Sequence, residues 1–530
     1  MRSKPLILVS LLLAAFAINL DTTIVNVALP TLVREMHASN TQLQWVVDAY
    51  NLVFAALLLV AGSLSDRLGR KGVLLSGLAV FGLASLAGGL TDSPGQLIVA
   101  RCVMGLGAAM VFPATLSLIS NVFTERTERA RAIGLWGATA GVAIALGPII
   151  GGWLLESFSW TSIFFAMAPV AVLGAALVAW TVPSSRDPHA PRADRPGFVL
   201  STAAMALLIY TIIEAPNYGW GSARSIGGFV AVIVLFAAFV ARERRTDEPM
   251  LDISLFRNAR FTAASGSVTV AFFSLFGFIF LMTQYFQFLK GYGPLSAGVH
   301  LLPVATSVGI ASVLGTKLAV RFGTKLVVAA GLLFVACFYA WVSTVSPSTH
   351  YGTIAAQMVL YGVGMGFTSA PATEAIMGVV PKDKAGVGSA VNDATRLLGG
   401  TLGVAVIGSV YASLYASRLT SALPSGLPKA LTHAAHESVG AALEVSARLS
   451  HSGRLGLAGE LHQAASGAFI HGLSAGCLVA GGVAIAGAIM AALLLPAQPL
   501  PAEPLPAESV AAATVGPLPA SSRSAAVLGD

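Results

Sequence analysis

The sequence predicts an all-α protein that crosses a membrane many times: two bundles of six helices with two additional helices between them. Three observations predict it. Of 530 residues 55% are hydrophobic and only 10% charged, against roughly 25% charged in an average soluble domain, and a water-soluble fold has no interior large enough for that much apolar surface. The apolar residues come in runs of about 20, the length a helix needs to cross a hydrocarbon core of ~30 Å. Finally, the chain repeats itself 254 residues on: Arg67, Gly69 and Lys71 recur as Arg321, Gly323 and Lys325, Gly134 recurs as Gly388, and Gly62 finds Gly315 with a one-residue slip.

Taken in order, apolar stretches broken by polar residues place fourteen spans near 6–30, 42–64, 72–91, 95–119, 130–156, 161–182, 197–215, 226–241, 261–287, 295–319, 325–345, 352–378, 386–414 and 468–495. The first six form an N-terminal bundle (1–183). A linker with the two additional spans (184–241) follows, and 261–495 supplies the C-terminal bundle. Between them, 242–260 is basic at both ends with Met250, Leu251, Ile253, Leu255 and Phe256 inside, the pattern of an amphipathic stretch lying on a membrane surface. The loop 416–467 is the one sizeable extramembrane piece, and its Val439, Leu443, Val445 and Leu449 predict a short helical hairpin. From 496 to 530 the chain is rich in Pro and Ala and writes Leu-Pro-Ala-Glu twice, which predicts a disordered tail. An even number of spans puts both termini on one side. That side carries 22 of the 31 Lys and Arg residues against 7 opposite, so both termini are expected in the cytoplasm, with the protein in the inner, plasma membrane.

Composition also narrows the function. The net charge of +7 lies in short clusters between spans, where membrane orientation accounts for it, so no nucleic-acid partner is expected. Cys102, Cys337 and Cys477 each fall within a span without paired spacing, which argues against a disulfide framework or a metal centre. The start, with Ala15-Phe-Ala17, imitates a secretory signal, but its apolar run continues past Asp21 to Leu32. His433, His436, His451 and His462 in the 416–467 loop match no catalytic spacing, so a membrane-embedded transferase is disfavoured. There is no GxxxxGK[ST] for ATP. The expectation is a non-enzymatic, cofactor-free monomer that meets lipids, protons and small lipophilic or cationic substrates.

An ionisable group near a bilayer centre costs at least ~2.5 to 3.5 kcal/mol, so each one is a functional candidate. These are Asp21, Asp48, Arg101, Glu374, Asp393 and Arg396, with Glu156 and Glu214 near span ends. Asp21 lies well inside the first span, in the run Asn19 to Pro30, where lost hydration suits a carboxyl group to load and unload a proton; the alternative is a structural hydrogen bond. Arg101, one turn into the fourth span, keeps its charge and requires a carboxylate or carbonyl partner. A cation that faces the acid in one state and leaves it in another would couple proton release to movement; a snorkelling or helix-linking arginine is the alternative. Asp48, beside Trp45 and Tyr50, is placed to recognise a cation. Glu374, Asp393 and Tyr361 are further substrate-site candidates, although Asp393 and Arg396, three apart on a helix, can also pair with each other. Phe272, Phe276, Met282, Tyr285, Met365 and Phe367 line a cavity or simply pack.

The polar decapeptide Gly62 to Lys71 separates two spans, and Gly62, Leu64, Asp66, Arg67, Gly69, Arg70 and Lys71 fill every fixed position of GxLxDRxGRK. It resembles the loop between the second and third spans of major facilitator superfamily transporters. An acid–base cluster there can latch one conformation, while its glycines permit a tight turn. The second copy has Val320 in place of the acid. In the fifth span Gly141, Gly147, Pro148, Gly151 and Gly152 strip one face and add a kink, and Leu-Gly-Pro-Ile-Ile-Gly-Gly resembles the antiporter signature of that superfamily. Together with Leu20 to Pro30, Arg101, Asp252 to Phe256 and Gly388 to Gly403, these segments resemble the fourteen-span drug:proton antiporters, which include quaternary-ammonium and antiseptic efflux pumps. The likeness implies that Asp21 and Arg101 couple protons, that Gly62, Asp66, Arg67, Gly69, Arg70, Lys71, Gly147, Pro148, Gly151 and Gly152 gate the conformational change, and that lipophilic drugs are exported. Leu301 to Ile310 lacks the acid that some of those pumps use for dications. An importer, or an exporter of an endogenous metabolite, antibiotic or lipid, is the competing reading.

Overall fold

The computed structural model describes residues 3–186, 194–246, 253–379, 385–424 and 427–496, and all regular structure among them is helical. The tail expected to be disordered, from 497 on, lies outside the described residues, as do 247–252. In chain order the α-helices are α1 (Lys4–Met36), α2 (Asn40–Leu68), α3 (Arg70–Gly89), α4 (Pro94–Val122), α5 (Arg126–Ser157), α6 (Ser162–Thr181), α7 (Arg195–Tyr218), α8 (Ala223–Glu243), α9 (Ala259–Gln284), α10 (Pro294–His300), α11 (Leu302–Phe322), α12 (Thr324–Val342), α13 (Tyr351–Met377), α14 (Ala385–Ala422), α15 (Lys429–Glu437), α16 (Val439–His451) and α17 (Leu455–Leu494).

Their ends follow local chemistry. Ser39 and Gln42 form a reciprocal capping box that starts α2. Gly69 ends α2 and begins α3 at φ 114°, and its repeat partner Gly323 does the same between α11 and α12 at φ 90°, backbone that side-chain-bearing residues resist. The predicted span 295–319 is broken into α10 and α11 at Leu301, because Pro303 cannot donate a backbone bond there. Two connections take definite form. Helix α14 continues to Ala422 and α17 already starts at Leu455, so the loop between the last spans shrinks to the hairpin α15–α16, which buries Val439, Val445 and Leu449. Between α8 and α9, where the sequence predicts an amphipathic linker, the described residues hold a 3-10 turn, Ile253–Arg257.

Twelve stretches among the described residues are long and apolar enough to cross a bilayer, thirteen if α2, bent by 54° near Leu58, is one span. Helix α13 occupies the place of the predicted span 352–378 with 27 residues, but Gln357 and its glycines dilute its hydropathy. The chain is a multi-pass membrane protein.

Helix α1 runs from a near end to a far end, and the following spans alternate. The helices pack as two similar bundles. In the first, α2 and α3 lie on α4 and α5 on α1; in the second, α11 and α12 lie on α13 and α14 on α9. The bundles meet where α2 packs on α14 and α5 on α10. Helices α7 and α8 pair with each other outside this twelve-helix body, and α7 rests on both α2 and α14. At the near end, Arg242 Nη2 donates to Asp194 Oδ1 at 3.1 Å and ties α8 to the start of α7.

Candidate functional site

A cavity of about 1230 Å³ lies between the bundles in the near half of the molecule. Phe54, Phe112 and Trp136 line it from the first bundle, and Phe276, Glu374 and Asp393 from the second. Its walls are mainly apolar and aromatic with a few convergent polar groups, the usual make-up of a small-molecule site, at a volume above the common ~300–1,000 Å³. The charged lining groups, Glu374, Asp393 and Arg396, all sit on α13 and α14. Arg396 Nη1 is 3.8 Å from Asp393 Oδ1, its Nη2 donates to Thr373 Oγ1 at 3.2 Å, and its guanidinium lies 5.2 Å from the Phe272 ring centre. Local pairing of Asp393 with Arg396 and a place in the cavity wall therefore coexist. One wall is apolar; the other offers both signs of charge.

The far half is closed, and glycines close it. A Cβ on Gly152 would sit 2.6 Å from Leu295 Cα, and one on Gly298 would sit 2.2 Å from Pro148 O, so α5 and α10 touch backbone to backbone across the bundle boundary. On its other side α5 meets α1: a Cβ on Gly147 would lie 2.1 Å from Thr23 Oγ1, and one on Gly151 would lie 2.7 Å from Ile24 Cγ1. The stripped face read from the sequence thus serves contacts within its own bundle and between the two. Gly440 of α16 wedges between Val33 and Phe288 above this closure.

Asp21 and Arg101 come together beside the cavity, whose lining includes Asn19 and Thr22 of the same helix as Asp21. Arg101 Nη1 donates to Asp21 Oδ2 at 2.5 Å, and both residues are sealed from solvent, at 0% and 1% exposure. Gly105, one turn on from Arg101, lets α2 approach so closely that a Cβ there would be 2.5 Å from Tyr50 O. That approach brings Val46 O within 3.0 Å of Arg101 Nε. It also lays the guanidinium 4.3 Å from the centre of the Tyr50 ring, whose hydroxyl donates to Ile18 O at 3.0 Å. A desolvated cation thus has a carboxylate, a carbonyl and an aromatic face as partners.

The other candidates scatter. Tyr50 is a neighbour of the ion pair and, with Asp48, Trp45 and Tyr361, is outside the cavity lining. Trp45 faces α7, where its Nε1 donates to Glu214 Oε1 at 3.4 Å. Asp48 is fully buried, and neither of its oxygens has a hydrogen-bond partner among the described residues. Tyr361 is packed among Phe278, Phe338 and Tyr339. Phe272, Phe276 and Met365 do line the cavity. In the near-end cluster Asp66 pairs with Arg70 at 2.6 Å, Lys71 Nζ donates to Ala179 O of α6 at 2.8 Å, Arg67 is exposed and Gly62 packs 3.6 Å, by its Cβ position, from Pro113. All these contacts stay within the first bundle. Sequence reasoning did not find the aromatic partner of Arg101 or the packing glycine Gly105; the i, i+4 spacing of Arg101 and Gly105 was the available signal.

Residues 11–404 match the Major Facilitator Superfamily profile. The chain is 35% identical over 470 residues to the multidrug efflux pump LfrA of Mycolicibacterium smegmatis, covering 89% of this chain and 92% of that one. It is 36% identical over 409 residues to the multidrug resistance protein Stp of Mycobacterium tuberculosis, covering 77% and 76%. It is 34% identical over 404 residues to the tetracenomycin C resistance and export protein of Streptomyces glaucescens, covering 76% and 74%. Its fold resembles that of a bacterial homolog of the human lysosomal transporter Spinster in an inward-facing, unoccupied conformation, with a TM-score of 0.65 at 16% identity over 94% of this chain and 100% of that one.

Proposed function

Because the chain belongs to the Major Facilitator Superfamily, we propose that this transporter is a proton-driven antiporter of the fourteen-span type, exporting lipophilic and chiefly cationic compounds from the cytoplasm or the inner leaflet. The observation that carries the reading is the sealed Asp21–Arg101 pair next to an apolar cavity open between two bundles. Substrate enters the near-open cavity, the bundles rock and the far end opens; a proton reaching Asp21 from that side removes the attraction to Arg101 as substrate leaves. Separation of the pair lets α1 and α4 shift back against each other, and release of the proton at the near end re-forms it. With the near end cytoplasmic, as the Lys and Arg distribution favours, the structure is the inward-open state. Aromatic walls hold the substrate body, and Glu374 and Asp393 favour a positive head over a negative one.

The driving force is adequate. For a neutral substrate exchanged against one proton, moving one charge through 100 mV supplies ~2.3 kcal/mol, roughly a 40-fold ratio, whereas one-for-one exchange of a monocation moves no net charge and is driven by the pH difference. Relatives named for multidrug efflux and multidrug resistance favour a broad substrate range, while the relative named for tetracenomycin C export favours a second reading, export of an endogenous antibiotic. Tolerance of cells with and without the protein to dyes, biocides and antibiotics separates the two. In proteoliposomes an imposed pH gradient drives accumulation of a lipophilic cation. Movement that ignores the gradient overturns proton coupling.

A further inference from the structure

Four aromatic rings run in a row from the cavity to the ion pair. The ring centres of Trp136 on α5 and Phe112 on α4 are 4.7 Å apart, those of Phe112 and Phe54 on α2 are 5.6 Å apart, and those of Phe54 and Tyr50, one turn earlier on α2, are 5.9 Å apart. The last two contacts are edge to face, a favoured arrangement of rings. Trp136, Phe112 and Phe54 line the cavity and Tyr50 does not. The Tyr50 ring ends the row, its centre 4.3 Å from the Arg101 guanidinium. Both ends are fastened: Trp136 Nε1 donates to Thr115 Oγ1 at 3.1 Å, and the Tyr50 hydroxyl donates to Ile18 O, three residues before Asp21, at 3.0 Å. All four rings are buried, so in a close-packed interior one moves only with its neighbour.

The surroundings leave the pair few other influences. Among the described residues its ionisable neighbours are Tyr50 and Cys102. Asp48, two residues from Tyr50, lies on the opposite face of α2. Helix α6 carries no ionisable side chain, α9 has only Arg260, and α5 has them only in its first two turns and at Glu156. Helix α10 has only His300, whose Nδ1 bonds Ser296 O at 2.6 Å, and α16 meets α1 at Val33, about three turns from Asp21.

We propose that Tyr50 is a positioning residue that carries cavity occupancy to the Asp21–Arg101 pair through the ring of Phe54. A substrate body lying on Phe54, Phe112 and Trp136 holds the row in place, keeps Tyr50 against the guanidinium and keeps Arg101 aligned on Asp21, so the proton stays off. An emptied cavity gives Phe54 room; Tyr50 withdraws, Arg101 loosens and Asp21 takes up its proton. Coupling is reciprocal, so a proton on Asp21 weakens substrate binding by the same factor. The proposal rests on the proton exchange argued above and adds the route by which the two ligands sense each other.

The test measures the affinity of the full-length protein for tetraphenylphosphonium in detergent across a pH series. The unaltered protein should bind about tenfold more weakly on the acid side of the pair's titration, within the ~5–150-fold usual for coupled sites. Tyr50→Leu and Phe54→Leu should reduce that ratio to about twofold or less, a coupling nearly lost. Tyr50→Phe keeps the ring and should keep the ratio. Phe276→Leu removes a cavity ring outside the row; it should weaken binding at every pH and keep the ratio. Where Tyr50→Leu does not fold, Phe54→Leu decides, since it leaves every direct neighbour of the pair in place. A full ratio in Phe54→Leu overturns the route, because the cation's own charge then senses Asp21 directly. Loss of the ratio in Tyr50→Phe assigns the role to the bond with Ile18 O, and loss in Phe276→Leu assigns it to the cavity at large; either overturns the row of rings. An unaltered protein that binds no cation, or binds it equally at every pH, refutes the underlying exchange before any variant is made.

Discussion

Arg101 and Asp21 share a 2.5 Å hydrogen bond across α4 and α1 with both side chains closed off from solvent. Two charges in that setting are held by each other, so a change in the protonation of one is a force on the helices that carry them. Asp21→Asn keeps the shape and removes the proton site. It should abolish uphill export while leaving the protein inserted and folded. Arg101→Ala should do the same and Arg101→Lys should restore only part, because an ammonium cannot fork between Asp21 and Val46 O. Transport under an imposed pH gradient checks this; gradient-driven export by Asp21→Asn would show that coupling resides elsewhere.

The two halves of the pair should differ in what their loss does to stability. Removing one partner of a buried ion pair costs about 3–5 kcal/mol when the other stays charged. A carboxyl group left alone can take up a proton, whereas a guanidinium cannot release one. Asp21→Ala should therefore lower the thermal midpoint in detergent more than Arg101→Ala does. An equal loss, or the reverse order, would contradict this account.

Gly152 touches Leu295 across the bundle boundary in the closed far half. A methyl group there overpacks the contact, at about 1–3 kcal/mol, and the penalty falls only on the far-closed state. Gly152→Ala should shift the population toward far-end opening. Leu295→Cys in a background lacking Cys102, Cys337 and Cys477 should then react faster with an impermeant maleimide from outside. An unchanged rate would mean that the contact does not set the balance.

The acids separate by position. Glu374 and Asp393 line the cavity and Asp48 does not. Glu374→Gln and Asp393→Asn should weaken export of a monocationic dye more than export of a neutral substrate. Asp48, fully buried and outside the cavity lining, should affect both alike when changed to Asn. The sequence reading, which set Asp48 with Trp45 and Tyr50 at the substrate, expects a selective loss of the cation; measuring both substrates in the three variants decides between the two.

The same cysteine-free background tests orientation. Cysteines at Arg67 and at His433 should label from inside and outside respectively, since the first lies at the near end and the second on the far-end hairpin. Labelling of position 67 in intact cells would reverse the assignment.

Much of this was legible in the sequence because a membrane enforces a simple code. Spans had to be apolar and long, so their order could be read. The halves showed themselves through Gly69 and Gly323, where a backbone with positive φ leaves little choice of residue. Embedded charges are costly, so Asp21 and Arg101 stood out before any geometry was known. What stayed hidden depends on rotation about helix axes and on neighbours distant in the chain. Trp45, Asp48 and Tyr50 are adjacent in sequence, yet one turn of helix sends Trp45 to α7 and Tyr50 beneath Arg101. Helix ends differ most from the predicted spans at α14 and α17, which continue beyond 414 and begin before 468, since hydropathy marks an apolar run and not the amphipathic turns that prolong its helix.

That overrun has a practical meaning. Helix α17 has 40 residues and, at 1.5 Å per residue, measures about 60 Å, twice the ~30 Å of a hydrocarbon core. The excess forms a mast at the far end, with α16 leaning on it and Gly440 resting on Val33 of the opposite bundle. A dye pair across that contact, one member on α16 and one on the exposed rim of α1, would signal each turnover optically from the cell exterior with the interior left unmodified.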